Sequence, residues 1–261
     1  MVADRRRDGV SAFESIADAY AASRPGYPPR LFEAIEELTS RPLRGAQVID
    51  VGAGTGIATG LLLKRGARVV AAEPGAAMAT QLRQALPEVP LLRAVGEALP
   101  LKAASADMIT YAQSWHWTDP ARSVPEAVRV LRPGGALVLF WNIVDPSVEW
   151  AVEQERRLLD CAPIPPFPGV HPGYLPPGVT IPEVLRGCRP GMRPVARRLR
   201  WSRPTPLDVH LTYLASQSNI AALPPDVLSR LIADERNVLL NAFPNRVVDE
   251  AYAVELVVVR T

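Results

Sequence analysis

Apolar residues recur in short runs along the middle of the chain, from about residue 47 to residue 141. Runs that favour strands alternate there with longer stretches in which apolar positions recur at helical spacing. The strand-like runs are VIDV (48–51), ARVVAA (67–72), VPLLRAV (89–95), ADMITYA (106–112) and GALVLFW (135–141). Strands separated by helices favour right-handed crossovers, so the pattern predicts a doubly wound, mainly parallel α/β sheet with helices on both faces.

The flanking regions predict further elements. Helical spacing at Phe13, Ile16 and Tyr20 and again over 31–38 predicts two helices before the first strand. After residue 141 we expect a helix near 147–160, a surface segment over 163–182 with eight prolines, a strand over 192–201, helices over 207–240 and a last, antiparallel strand over 251–260. The sheet would then have seven strands.

We expect one domain over residues 1–261. Its parts would be an N-terminal helical cover (1–45), a sheet core (46–145) and insertions at 146–190 and 204–245. The proline-rich segment over 163–182 would be either a substrate-facing loop or a plain connector.

Composition narrows the class of protein. The net charge is only +2, and no apolar run approaches the roughly 20 residues that a membrane helix needs. The opening MVADRRRDGV is followed by no apolar signal segment, so we expect a cytoplasmic protein without a membrane partner. Cys161, Cys188 and the three histidines lack metal-ligand spacing, which predicts no metal site. Seven arginines over 186–203 could form a nucleic-acid patch, but the charged face of an edge strand explains them better, so no nucleic acid is expected.

A glycine-rich stretch follows the first strand, with the pattern Asp50-x-Gly52-x-Gly54-x-Gly56. Glycine in a strand or helix costs about 0.5–1 kcal/mol relative to alanine, so three of them indicate that a ligand approaches the backbone. The spacing differs from the G-x-G-x-x-G of dinucleotide sites, because residue 57 is isoleucine, and no lysine completes a phosphate loop. An acid without a basic partner suits a cationic ligand that lacks phosphate.

A second acid, Glu73, ends the next strand in VVAAEP, about twenty residues after the glycines, where a carboxylate can accept both ribose hydroxyls of a nucleoside. With this spacing the chain resembles the Rossmann-like S-adenosylmethionine-dependent methyltransferases. It is similar to the small-molecule group that includes trans-aconitate and ubiquinone-pathway methyltransferases. The similar segments, within residues 13–145, are YAASRPGYP (20–28), VGEALPL (95–101), AQSWHW (112–117) and RVLRPGG (129–135).

The resemblance implies S-adenosylmethionine as cofactor, S-adenosylhomocysteine as product, and a role for each matching residue. Asp50 would orient the methionine amino end, and Glu73 would bind the ribose. Gly96 and Glu97 would face the adenine, although Val95 stands where many relatives have aspartate. The remaining cofactor-binding candidates are Gln113, near the methyl-donor sulfur, and Tyr20 and Arg24, in a segment that folds over the cofactor, with Arg24 at the methionine carboxylate.

His116 lies between Trp115 and Trp117, just after the fourth strand, where the acceptor would enter. Its ordinary pKa suits removal of a proton from a hydroxyl near neutral pH, so His116 is the candidate catalytic residue. The alternative is a histidine packed between two tryptophans, since methyl transfer to a neutral amine needs no strong base.

The resemblance predicts an enzyme that methylates an O, N or C atom of a small molecule, plausibly in secondary metabolism. Transfer to a nucleobase or a glutamine amide is disfavoured, because QSWH stands where such enzymes have [ND]-P-P-[YF]. A protein that binds the cofactor without transferring its methyl group would use the same loop, and a nicotinamide oxidoreductase would need the missing glycine spacing. We expect a monomer or a homodimer.

Overall fold

The computed structural model describes residues 24–163, 170–175 and 179–261. The helices of these residues are α1 (Pro29–Thr39), α2 (Ile57–Lys64), α3 (Ala76–Ala85), α4 (Pro120–Val130), α5 (Glu149–Cys161), α6 (Ile181–Cys188), α7 (Leu207–Ala215), α8 (Ser218–Ala221) and α9 (Pro225–Ala242). The strands are β1 (Gln47–Val51), β2 (Arg68–Ala72), β3 (Leu91–Leu92), β4 (Ala106–Ala112), β5 (Leu131–Val144), β6 (Val195–Pro206) and β7 (Val247–Arg260). The helix predicted over 13–20, with Tyr20, lies outside the described residues.

The seven strands form one sheet in the order β3-β2-β1-β4-β5-β7-β6. β1 pairs in parallel with β2 and β4, β2 with β3, and β4 with β5. β7 runs antiparallel to β5, because Thr261 bonds to Gly134 and Gly135 at the start of β5 while Ala251 bonds to Asp145 just past its end. The structure confirms the predicted fold, a mainly parallel seven-stranded α/β sheet with an antiparallel last strand.

Two local predictions need correction. The run VPLLRAV (89–95) predicted a full strand, but only Leu91 and Leu92 pair, at the edge of the sheet. The proline-rich segment over 163–182 is predicted as a surface loop or connector, yet α6 begins inside it at Ile181. Pro182 is tolerated because it lies in the first turn, where its missing N–H has no partner to lose, and Thr180 and Glu183 form a capping box there.

The chain divides into two compact units. Of the described residues, the core unit comprises 26–143, 170–175, 179–199 and 254–261, and the helical unit comprises 24–25, 144–163 and 200–253. Apolar residues of the sheet and of α4 and α6 form the buried cluster of the core unit. The helical unit has its own cluster, in which α5, α7 and α9 pack around Leu211 and Leu239. The prediction of one domain stays a prediction.

β6 lies at the edge of the sheet, and the pairs Arg198/Glu255, Trp201/Tyr252 and Arg203/Glu250 fit one antiparallel register with β7. Arg197 and Arg200 also contact carboxylates, those of Glu37 and Asp145. Four arginines of the basic run are therefore engaged in ion pairs.

Among the described residues, no helix combines the length and the apolar character that crossing a bilayer requires.

Candidate functional site

The candidate residues gather at one edge of the sheet. Because β1, β2, β4 and β5 are parallel, the segments that follow them share the carboxyl edge, which is where ligands bind in doubly wound folds. These segments contain the glycine loop (52–56), Glu73, Gln113 and the turn Trp115–Trp117. The sheet topology therefore brings together residues that lie up to 65 positions apart in sequence, from Gly52 to Trp117.

Gly52 and Gly54 are needed for different reasons. Both have a positive φ, 66° and 59°, which residues with a side chain rarely adopt. A Cβ on Gly52 would lie 2.5 Å from Cβ of Ser114, so this glycine lets β1 and the segment after β4 pack together. A Cβ on Gly54 would meet no heavy atom within 4 Å. The loop thus leaves open space beside Gly54. Gly56, which directly precedes α2, packs against Leu82 and Leu86.

Asp50 is fully buried beneath this loop. Its Oδ2 accepts a hydrogen bond from Thr59 Oγ1 at 2.6 Å, and its Oδ1 accepts one from Thr110 Oγ1 at 2.9 Å. Burial raises the pKa of Asp50, and the two hydroxyl contacts offset only part of that rise. The carboxyl group therefore ties the end of β1 to α2 and β4 and fixes the start of the glycine loop.

Glu73 links two loops through backbone amides. Its Oε2 accepts from the Gly54 N–H at 2.8 Å and its Oε1 from the Gly75 N–H at 2.7 Å. Burial raises the pKa of this carboxyl, and the two amide bonds oppose the rise. Each carboxylate oxygen has a second lone pair, so Glu73 can accept ligand hydroxyls while it keeps both amides.

Gly96 and Glu97 lie in a tight turn, where Val95 bridges to Ala98. A Cβ on Gly96 would lie 2.7 Å from the Tyr111 hydroxyl, so only glycine fits against β4. Glu97 accepts from the backbone N–H of Asp119 at 2.9 Å through Oε1. The turn is thereby held against the segment that enters α4.

Gln113 has a positive φ of 55° directly after β4. Its Nε2 donates to the Asn142 carbonyl at 2.9 Å, and Asn142 in turn donates to the Gly26 carbonyl at 2.9 Å. A left-handed conformation costs a residue with a side chain about 1–2 kcal/mol. Such strain concentrates at functional sites, which supports Gln113 as a candidate.

His116 and Trp141 form a buried pair. The indole Nε1 of Trp141 donates to His116 Nδ1 at 3.1 Å, while Trp115 donates separately to Ser123 Oγ at 3.1 Å. His171 contacts His116 edge-on, with 4.8 Å between ring centroids. Sequence reasoning missed Trp141 and His171; the only available signal for His171 was its place in the proline-rich segment.

His171 repeats the hydrogen-bond pattern of His116. Its Nδ1 accepts from the Gly173 N–H at 3.1 Å. Burial lowers the pKa of His171 to about 4, so its ring is neutral near pH 7.

Arg24 belongs to the helical unit. Its guanidinium lies over the Tyr213 ring, 5.7 Å from the centroid, and its carbonyl accepts from Arg203. Contact between Arg24 and a cofactor stays a prediction, and Tyr20 lies outside the described residues.

The helical unit also contains a buried polar network centred on His210 and Glu250. His210 Nδ1 lies 2.7 Å from Glu250 Oε1, and His210 Nε2 lies 3.0 Å from Gln154 Oε1. Arg203 and the Tyr252 hydroxyl donate to Glu250 Oε2. No sequence signal indicated this network. Within residues 24–163, 170–175 and 179–261, no three His, Cys, Asp or Glu side chains are arranged to hold a metal ion.

The chain is similar in sequence to known proteins. A methyltransferase-domain family matches residues 49–139. An uncharacterised methyltransferase of Mycobacterium tuberculosis is 47% identical over 148 residues, which cover 57% of this chain and 59% of the relative. A trans-aconitate 2-methyltransferase of Azoarcus is 41% identical over 107 residues, covering 39% of this chain and 42% of the relative. The aligned regions thus span about half of these curated relatives.

The fold comparison reaches further along the chain. A solved structure from Anaeromyxobacter dehalogenans, proposed to be a type II methyltransferase, covers 91% of this chain and 96% of its own with a TM-score of 0.65 and 26% identity. A phosphoethanolamine N-methyltransferase of Haemonchus contortus, solved with S-adenosylmethionine, shares the fold with a TM-score of 0.53 and 12% identity, and covers 95% of this chain and 57% of its own. The family match, the sheet order and the glycine loop agree on one assignment. Residues 49–139 of this chain match the methyltransferase-domain family, within a Rossmann-like fold that resembles the Anaeromyxobacter structure.

Proposed function

We propose that the protein transfers the methyl group of S-adenosylmethionine to an O, N or C atom of a small molecule and releases S-adenosylhomocysteine. The observation that carries this proposal is the pairing of open space at Gly54 with the buried carboxylate of Glu73, which holds the Gly54 amide. The Azoarcus relative, named for a small organic acid, supports a small-molecule acceptor.

The residues present fit this cofactor. The loop at Gly54 leaves room for its methionine part, and the second lone pairs of the Glu73 carboxylate suit its two ribose hydroxyls. The turn at Gly96 and Glu97 would border the adenine. The cofactor supplies a methyl group on a sulfonium, so the protein has to position the acceptor in line and exclude water. Gln113 and His116 follow β4 at the same edge and would border the reacting groups.

The finer parts of the proposal concern context. We place the reaction in secondary metabolism and in the cytoplasm, with the protein acting as a monomer or homodimer and without nucleic acid. The arginines engaged by carboxylates on β6 support the last point.

The decisive experiment is calorimetric titration with S-adenosylmethionine and S-adenosylhomocysteine, with NADH as negative control. Wild-type protein should bind the first two and not the third. Gly54→Ala should bind both at least about tenfold more weakly, because its methyl group occupies the space left for the ligand and costs about 1.4 kcal/mol of binding.

Gly45→Ala is the matched control. Gly45 has a φ of 80°, and its Cβ would also meet no heavy atom within 4 Å, but it lies in the turn before β1. Both variants should lose a similar 1–2 kcal/mol of unfolding free energy from backbone strain, and only Gly54→Ala should lose affinity. Unchanged affinity of Gly54→Ala would contradict the proposed site.

Transfer is separated from mere binding by a second assay. S-adenosylhomocysteine should accumulate only when an acceptor from a panel of carboxylates, phenols and amines is added. If the protein binds the cofactor but no acceptor in the panel causes S-adenosylhomocysteine to accumulate, it is a binding protein and not a transferase.

A further inference from the structure

The hydrogen bond between Trp141 and His116 determines which ring nitrogen of His116 carries its proton. An indole N–H can only donate, so His116 Nδ1, at 3.1 Å, must accept with its lone pair. A neutral imidazole has one accepting and one donating nitrogen. The proton of neutral His116 is therefore on Nε2.

Burial makes this arrangement persistent. Trp141 is fully buried, and His116 is 6% exposed. A proton added to Nδ1 would place two N–H donors face to face, with the indole deprived of its acceptor in a buried site. The contact therefore opposes use of His116 as a proton acceptor.

The neighbouring His171 ring does not replace His116 as a proton acceptor. His171 lies edge-on to His116, and its own Nδ1 accepts from the Gly173 amide. The other rings that contact this group, Trp117 and Trp141, do not titrate. Among the described residues, His116 and His171 thus both use Nδ1 as a hydrogen-bond acceptor.

We propose that Trp141 is a positioning residue that fixes His116 with its proton on Nε2, so that His116 donates a hydrogen bond to the methyl acceptor and does not act as a general base. This inference rests on the proposed methyltransferase function. It implies an acceptor whose nucleophilic atom has a lone pair available without removal of a proton by His116, and of such groups a carboxylate oxygen best matches an imidazole N–H donor. The acceptor's lone pair forms the new bond to the methyl carbon, the methyl–sulfur electrons stay on sulfur, and no proton is moved.

The first test is an NMR experiment on the ligand-free protein. Two-bond ¹H–¹⁵N correlations of the histidine rings report which nitrogen is protonated, and His116→Gln assigns the His116 signals. Wild-type protein should show a single His116 tautomer, protonated at Nε2. Trp141→Phe should give a mixture of tautomers, because Nδ1 has lost its donor.

Trp115→Phe is the matched control, since it removes an equally buried indole from the same cluster that bonds to Ser123 instead. It should leave the His116 tautomer unchanged. A wild-type His116 protonated at Nδ1, or a tautomer unaffected by Trp141→Phe, would overturn the inference. Cofactor affinity measured on the same samples is independent of this result, so failure of the inference differs from failure of the proposed function.

The second test compares two variants with the acceptor that turns over in the panel. The amide nitrogen of Gln lies near the position of Nε2, and that of Asn lies near Nδ1. With His116 as a donor, His116→Gln should keep kcat within about tenfold of wild type, and His116→Asn should lose more. If His116→Gln lowers kcat about 100-fold or more and matches His116→Asn, His116 is a base and the inference fails.

Discussion

His116 in the core unit and His210 in the helical unit are both almost completely buried, yet their rings face opposite kinds of hydrogen-bonding group. His116 Nδ1 faces the donor of Trp141. His210 faces two acceptors, the carboxylate of Glu250 and Oε1 of Gln154. The comparison shows that equally buried histidines are distinguished by the donors and acceptors around them.

The orientation of Gln154 is central to this difference. Its Nε2 donates to Glu235 Oε2 at 3.0 Å, and a flipped amide would point its oxygen at that carboxylate. Oε1 must therefore face His210. Arg157 pairs with Glu235 through two hydrogen bonds, so an arginine–glutamate ion pair lies at each end of the network.

The largest expected effect comes from Glu250→Gln. Burial would raise the pKa of Glu250, but the hydrogen bonds from His210 and Arg203 outweigh it and lower this pKa, so the carboxyl is ionised at neutral pH. Its replacement removes the buried carboxylate that His210 and Arg203 contact, and should reduce the free energy of unfolding by about 3–5 kcal/mol. Chemical denaturation followed by circular dichroism measures this loss.

Glu255→Gln is the control for that variant, because Glu255 makes the equivalent β7-to-β6 pair with the half-exposed Arg198. It should cost about 1 kcal/mol or less. Equal losses in the two variants would mean that Glu250 does not compensate buried charge.

An intermediate effect is expected from His171, as a function of pH. Its folded pKa of about 4 lies below the ordinary value near 6.5, so the unfolded chain binds more protons between these values. The stability that the neutral ring contributes is complete above about pH 6.5 and is lost as the pH falls toward 4. As the pH falls from 6.5 to 4.5, the free energy of unfolding should therefore decrease by about 1–3 kcal/mol less in His171→Gln than in the wild-type protein.

The Glu250 contribution has a separate pH window. A carboxyl whose pKa is lowered contributes stability above its ordinary value near 4.3 and loses it as the pH falls through the lower folded value. A His171→Gln profile parallel to that of wild type would contradict a neutral His171.

The smallest expected effect is that of Tyr252→Phe. The Tyr252 hydroxyl donates to Glu250 Oε2 at 3.0 Å, while its ring stacks on Trp201 with 5.2 Å between centroids. Phenylalanine keeps the stacking, so the variant isolates one hydrogen bond and should cost about 0.5–1.5 kcal/mol of unfolding free energy. No measurable loss would show that His210 and Arg203 suffice to satisfy the carboxylate.

The sequence predicted what depends on local pattern. The run ADMITYA is β4 from its first residue to its last, and six of its seven residues are buried, as expected of a central strand in a parallel sheet. The glycine loop followed from spacing alone. By contrast, Trp141 lies 25 residues from its partner His116, and Glu250 lies 40 from His210. No local pattern specifies which distant donor or acceptor reaches a given ring, so neither histidine's hydrogen-bond partner could be predicted.

The position of β7 between β5 and β6 has a consequence for synthesis of the protein. The ribosome completes β6 before β7, so the strand that joins β5 to β6 is the last of the three to emerge. Until then β5 has an unpaired edge and β6 has no neighbour in the sheet, and unpaired edges of this kind promote aggregation. The nascent chain therefore cannot complete its sheet during most of its translation. The arginines of β6 provide charge that opposes pairing of this strand with other chains before β7 has been synthesised.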